Sequence, residues 1–166
     1  KMKKLILLLL FIPLVSFGQF NMQLFPNYNK SENLDKYQLL FATYEENETM
    51  NSSIEVKFSD DWSFKILDNK ELINQLIENK DFESYLKSLY EDLNIMRKGV
   101  IYIKNLGDCF QLVYSGNYKT GNIILFNTVT QFIKNDKLYT ISTSSHPESF
   151  SRNYQDYLKM FDTMTF

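Results

Sequence analysis

Apolar and polar residues alternate through the last two-fifths of the chain, and Gly99–Phe166 is the stretch around which the rest is organised. The pattern predicts four consecutive strands, Val100–Leu106, Cys109–Ser115, Ile123–Ile133 and Leu138–Thr143. They are separated by Gly107-Asp108, by Gly116–Gly121 and by Asn135-Asp136, residues that tolerate turn dihedrals or bond their own backbone. Ile101 and Ile103 share one face of the first of these strands, opposite Tyr102 and Lys104, and Phe110, Leu112 and Tyr114 line one face of the second. The third is apolar on both faces, with Ile123, Leu125, Val129 and Ile133 against Ile124, Phe126 and Phe132. Such a strand belongs inside a sheet covered on both sides, so helices are expected on each face.

The remaining elements follow from the same periodicities. Tyr37–Tyr44 reads as a first strand, and Ile54, Val56 and Phe58 alternate with Glu55 and Lys57 in a second, a period of two that marks a strand with one wet face. The polar stretch Glu45–Ser52 between them predicts an antiparallel pair joined by a turn. Leu72, Ile73, Leu76 and Ile77 form a short helical stripe that loses phase at Asn79-Lys80. Asp81 is a candidate cap for a second helix, with Phe82, Tyr85, Leu86, Leu89, Tyr90 and Leu93 on one face at helical spacing. Glu83, Lys87, Glu91 and Asp92 on the other face favour packing on a sheet over binding to anionic lipid. A last helix is expected from about Pro147, with Phe150, Tyr154, Tyr157, Leu158 and Phe161 on its apolar face. Thr163–Phe166 ends the chain as a short extended piece.

Composition adds class and compartment. The 166 residues suit one domain with a single core. Aromatic residues make up 16% of the chain, a supply of rings expected in the core and on the sheet, Trp62 included. Lys1, Lys3 and Lys4 precede an apolar run from Leu5 to Val15, and Ser16-Phe17-Gly18 places small residues where a secretory signal is cut. The reading is a signal peptide over 1–18, a flexible leader over 19–34 and a single domain over 35–166; the alternative for the first segment is an uncleaved anchor. The run is shorter than the roughly 20 apolar residues of a membrane span, so no transmembrane segment is expected in the mature chain. Loss of those three lysines shifts net charge from −2 to −5. A mildly acidic chain without a basic cluster is a poor nucleic-acid binder.

Residues with chemical potential are few. Cys109 and His146 are the single cysteine and histidine. Cys109 inside a predicted strand is expected to be buried and inert. A Ser-His-Asp or Cys-His site would have to use His146, which lies beside Pro147 among serines and reads as a capping or surface residue. Glu45, Glu46 and Glu48 lack the alternating ligand spacing of a calcium loop. No phosphate loop, zinc spacing or dinucleotide fingerprint is present. No catalytic residue, metal ligand or cofactor is assigned.

At this point a family resemblance becomes visible. Phe110-Gln111-Leu112-Val113-Tyr114, a long strand ending at Phe132-Ile133, the tight Asn135-Asp136-Lys137 turn, and Leu138-Tyr139-Thr140-Ile141 leading to a helix and the tail Phe161–Phe166 together resemble the C-terminal part of the PsbP-like family. Ser53–Phe58 and the helix around Tyr85–Leu93 fit its first half more loosely. The resemblance implies a mixed α and β (α+β) fold, a three-layer α/β/α sandwich around a mostly antiparallel sheet with a C-terminal helix. The family includes an extrinsic photosystem II subunit, a nuclear Ran-binding protein and many exported bacterial proteins, whose common theme is binding or assembly rather than catalysis. The calcium- and manganese-related features of the photosystem subunit have no matching His or carboxylate cluster here.

The expected role is therefore an exported, non-enzymatic binding or assembly module with a protein partner in the cell envelope. The alternative is a carrier of a small apolar ligand held between sheet and helices. Tyr102, Lys104 and Tyr118 are the binding candidates, because strand parity and a turn position leave them outside the expected core. Export predicts a periplasmic or extracellular chain beginning at Gln19 after cleavage at Gly18-Gln19; intact mass of exported material checks this, and a chain still carrying Leu5–Val15 contradicts it.

Overall fold

Alternation in the sequence becomes a continuous ladder in the computed structural model, which describes residues 20–47, 50–121 and 123–166. The strands are β1 (Asn29–Lys30), β2 (Gln38–Asn47), β3 (Met50–Ser59), β4 (Tyr90–Ile103), β5 (Gly107–Tyr118), β6 (Ile123–Lys134) and β7 (Lys137–Ser145). All neighbours pair antiparallel in one seven-stranded sheet of order β1-β2-β3-β7-β6-β5-β4. The four-strand meander is thus contiguous, and the N-terminal strands join its β7 side. The helices are α1 (Asn69–Glu78), α2 (Asp81–Leu89) and α3 (Phe150–Phe161).

Parity decides which residues meet which layer. On β5, Phe110, Leu112 and Tyr114 pack with Ile73 of α1, Leu86 of α2 and Val129 of β6. On the opposite face Cys109 joins Leu40, Ala42, Ile54, Val56, Phe132 and Ile141 beneath Tyr157, Met160 and Phe161 of α3. The expected helices on both faces, and the α+β sandwich, are present. Cover on the α1–α2 side is confined to β4–β6; over β7 and β3 that face carries Ser142, Ser144, Ser53 and Glu55.

Beneath α3 the layer changes character along the helix axis. Its C-terminal half rests on the aliphatic floor. The stretch from Asn153 to Tyr157 meets polar side chains: Asn153 Nδ2 donates to Ser52 Oγ at 2.7 Å, Ser145 Oγ lies 3.0 Å from Tyr157 OH, and Tyr154 OH donates to Gln111 Oε1 at 2.7 Å. Thr128 and Thr143 share a bond at 2.7 Å, and Gln111 Nε2 donates to Thr130 Oγ1 at 3.2 Å. Buried hydroxyls and amides are tolerated because each finds a partner.

The segment read as a leader touches the domain along much of its length. Met22 lies in the core, Asn21 bridges Thr165, Phe20 packs on Phe166 with ring centres 5.2 Å apart, and Asn29–Lys30 forms β1. The extended C-terminal piece predicted from Thr163–Phe166 is the other half of that bridge. Lys1–Gly18 and Glu48 lie outside the described residues, as do the side chains of Glu46 and Trp62.

Several boundaries differ from the periodicity. The helix expected to reach Leu93 ends at Leu89, and Tyr90–Ile103 is strand. Tyr90 can face a helix stripe or a strand neighbour equally well, and pairing with Tyr118 wins, its ring 5.3 Å from that of Tyr118 and 5.6 Å from Tyr114. Gly116 makes the approach possible, since a Cβ there would stand 2.9 Å from Tyr90 Cβ. Tyr118 is correspondingly the last residue of β5, half-buried, and not a turn tip. The first meander turn is Lys104–Leu106, with Gly107 opening β5 at φ 83°. Pro147–Ser149 forms a separate turn, with Ser149 N and Phe150 N donating to the His146 carbonyl, so α3 starts at Phe150. Asn79 rather than Asp81 supplies a side-chain bond at the start of α2, accepting from Asp81 N at 2.7 Å. The Asn135-Asp136 turn stands as read: both residues have positive φ, 49° and 59°, joining Lys134 to Lys137 as a two-residue hairpin loop.

Phe132 is 1% exposed and stacks on Tyr139 at 5.4 Å, whereas Phe126 is half-buried against Phe150 at 5.0 Å. Phe132→Ala is expected to cost about 3–5 kcal/mol in urea unfolding, and Phe126→Ala less; a loss under about 0.5 kcal/mol at Phe132 would contradict a strand covered on both faces.

Candidate functional site

The sheet has two ends of unequal size. One is β1, two residues long; the other is β4, fourteen residues long and paired only with β5. A long edge strand carries a row of backbone donors and acceptors facing outward, which other chains can pair with unless something blocks them. Two blocks are present in the N-terminal part of β4. The ladder slips between Glu91 and Asn94, where Asp92 has φ 51°, and again between Ile95 and Arg97. Such bulges bend an edge away from flat pairing.

From Arg97 to Ile103 the register with β5 runs without interruption, Arg97 opposite Val113 and Ile103 opposite Gly107. Gly99–Ile103 contains no charge. Ile101 and Ile103 turn into the core under α3, while Val100 and Tyr102 stand on the other face, 44% and 70% exposed. Met96, at the second slip, is also exposed. Charged groups bracket the run. Lys98 Nζ lies 2.7 Å from Glu83 Oε1 and donates to the Asn79 carbonyl at 2.7 Å. Arg97 Nη2 donates to the Val100 carbonyl at 2.7 Å, so that carbonyl points away from β5. By the alternation of an antiparallel strand, Lys98 and Tyr102 present their backbone groups outward as well. The Lys98 ammonium, hydrogen-bonded to Glu83, holds that carboxyl below its ordinary pKa.

The candidates from the sequence are dispersed along this strand pair. Tyr102 is on the uninterrupted run. Lys104 is one residue beyond β4, its amide donating to Asp162 Oδ1 at 3.1 Å while Asn105 ties the same turn to the end of α3. Tyr118 pairs with Tyr90 at the far end of β4, some 35–40 Å away at strand rise. Tyr102 and Lys104 are thus neighbours at one end of β4; Tyr118 is not with them. Val100, Met96 and Arg97 were missed. The charge-free Gly99–Ile103 run was legible, but whether a strand is outermost depends on topology and not on its own residues.

Two concavities border α3. A groove of about 310 Å³ runs between Leu24, Phe25 and Pro26 and the α3 residues Lys159, Met160 and Thr163. A smaller one of about 150 Å³ is walled by Tyr28 and Tyr44, ring centres 5.5 Å apart, with the Arg152 guanidinium 6.0 Å from the Tyr44 ring. The first lies between the N-terminal segment and α3, and the second between Tyr44 of β2 and the start of α3.

Cys109 and His146 are at opposite ends of the meander. Phe110 pairs with Gln131 and Ser145 with Phe126, which separates their levels by roughly 20 Å. Burial pushes the Cys109 thiol up to about 12. Among the described residues no group of three or more His, Cys, Asp or Glu could hold a metal ion, and no helix is long and apolar enough to cross a membrane.

No protein-family model matches the chain, and no curated protein matches it in sequence. Solved structures do resemble it. LpqN, involved in cell envelope biogenesis of Mycobacterium tuberculosis, aligns at TM-score 0.60 and 8% identity over 90% of this chain and 84% of its own. A protein of unknown function from Pseudomonas aeruginosa aligns at 0.52 and 10% over 89% and 82%. Cyanobacterial PsbP from Synechocystis aligns at 0.51 and 8% over 91% and 94%. The fold is PsbP-like; at these identities the likeness extends to the fold alone.

Desolvation raises the pKa of Cys109, Tyr114, Tyr90 and Tyr139 above their ordinary values. The unfolded chain releases these protons first, the thiol near 9.0 and the phenols near 10.0. Their contribution to stability is therefore intact below about pH 9 and lost as pH rises beyond it. Melting temperature is expected to hold from pH 7 to 9 and fall steeply above; native Cys109 should resist thiol reagents until unfolding, and prompt labelling at neutral pH would contradict its burial.

Proposed function

We propose that this chain is an exported, non-catalytic binding or assembly module that engages a protein partner along the open run of β4. The observation that carries the reading is Tyr102, a large ring 70% exposed on the one long edge strand among the described residues. Tyrosine anchors interfaces because its ring loses water-exposed area while the hydroxyl keeps a partner. Strand addition supplies the rest, with backbone bonds giving affinity and alternate side chains giving choice. Export is supported by the sequence of Lys1–Gly18 and by the likeness to LpqN, itself described as an envelope-biogenesis protein.

Carriage of a small apolar ligand is the second reading, and the groove beside Met160 is the observation in its favour. Tyr102→Ala is expected to leave the melting temperature within about a degree or two, as surface changes do, and to abolish recovery of a partner retained by the wild-type chain from an envelope extract. A partner retained equally by both would remove β4 from consideration, and a small molecule retained in native mass spectra of the purified chain would favour the carrier.

A further inference from the structure

The run Arg97–Ile103 is complementary to itself. Seven residues lie in unbroken register with β5, and Val100 is their midpoint. Running a second such strand antiparallel, centred there, places Val100 opposite Val100, Gly99 opposite Ile101, Lys98 opposite Tyr102 and Arg97 opposite Ile103. No like charges meet. Lys98, already neutralised by Glu83 at 2.7 Å, would bring its ammonium to the exposed Tyr102 ring twice over, a favourable cation–π pair. The small Gly99 sits where the partner strand brings Ile101.

Other registers fail for stated reasons. A shift of two residues toward the C-terminus sets Lys98 against Lys104, a direct like-charge pair. A shift of two toward the N-terminus sets Tyr102 against Met96, which lies at a ladder irregularity. A one-residue slip turns the outward backbone groups of one strand against the inward ones of the other. The two bulges near Asp92 and Met96 confine pairing to the seven residues and leave a single register.

We propose that β4 pairs with β4 of a second copy across a two-fold axis at Val100, merging two seven-stranded sheets into one. The inference rests on reading β4 as the docking edge and names what docks there. The contact is isologous and closed, so it stops at the dimer. In the single chain Arg97 occupies the Val100 carbonyl; in the dimer the partner's Val100 amide takes that place.

The test is mass and cross-linking on the purified chain. Sedimentation velocity is expected to give twice the mass of the single purified chain for the wild type. Val100→Lys, which sets two ammonium groups face to face, should give a monomer that still unfolds cooperatively, at a melting temperature no longer dependent on protein concentration. Val100→Cys should form an intermolecular disulfide under mild oxidation, since paired Cα atoms there stand about 5.5 Å apart, within disulfide reach. Tyr102→Cys faces Lys98 and should not. Native Cys109 is buried and stays silent. A monomer at every soluble concentration overturns the proposal, as does a dimer indifferent to Val100→Lys. A monomer that still loses a different partner on Tyr102→Ala would overturn the two-fold pairing alone and leave the docking edge standing.

Discussion

Dryness on both sides of β5 is the constraint from which the other parts take their places. Every residue from Cys109 to Gly116 is buried, although only one strand separates β5 from solvent along the sheet. Lateral cover on its outer side comes from β4 alone, and cover above and below comes from α1–α2 and α3. Removing any of the three would expose apolar area worth roughly 25 cal/mol per Å². β4 is therefore both shield and surface: Ile101 and Ile103 are required by the core, and Val100 and Tyr102, which the same alternation places outside, are not.

The α3 layer has a division of labour that hydrophobic burial alone does not explain. Met160 and Phe161 rest on aliphatic residues and contribute area. Asn153, Tyr154 and Tyr157 meet Ser52, Ser145 and Gln111 through directional bonds. An apolar seam tolerates sliding of a helix by a turn; a buried Asn with one hydroxyl within 2.7 Å does not, because displacement strands unpaired polar atoms at roughly 1–3 kcal/mol each. The network sets where α3 lies; the aliphatic end supplies most of the adhesion.

How much of this was legible depended on whether the signal was local. Parity on β5 and β6 was readable from apolar residues on both faces, and it correctly required helices on each side, although the most buried stretch of β6 is Asn127–Thr130 and Ile123 and Ile124 are exposed. The Asn135-Asp136 turn was readable from its own chemistry. Tyr90–Leu93 was not, because Tyr90 and Leu93 satisfy a helical stripe as well as a strand, and only Tyr118 and Gly116, far along the chain, decide between them. Phe20–Leu34 looked structureless for a related reason: Met22 acquires its role from the core beneath α3 and Asn21 from Thr165. The exposure of Tyr102 followed from parity, but the outermost place of its strand did not, since that is a property of the whole sheet order.

That order also has a temporal meaning. β4 to β7 are joined by short connections and can zip as successive hairpins, and β2 with β3 forms another. The seam between these two halves, β3 against β7, joins Ser59 to Leu138 and Ser53 to Ser144, partners roughly eighty to ninety positions apart. Closing so long a loop carries an entropic toll before any contact repays it, so the seam is the natural last step of folding. Until it closes, β3 and β7 are both open edges. A chain that emerges N-terminus first must hold the Met50–Ser59 strand in waiting until Lys137–Ser145 has appeared, and in that interval its protection depends on how quickly the cell delivers the remainder.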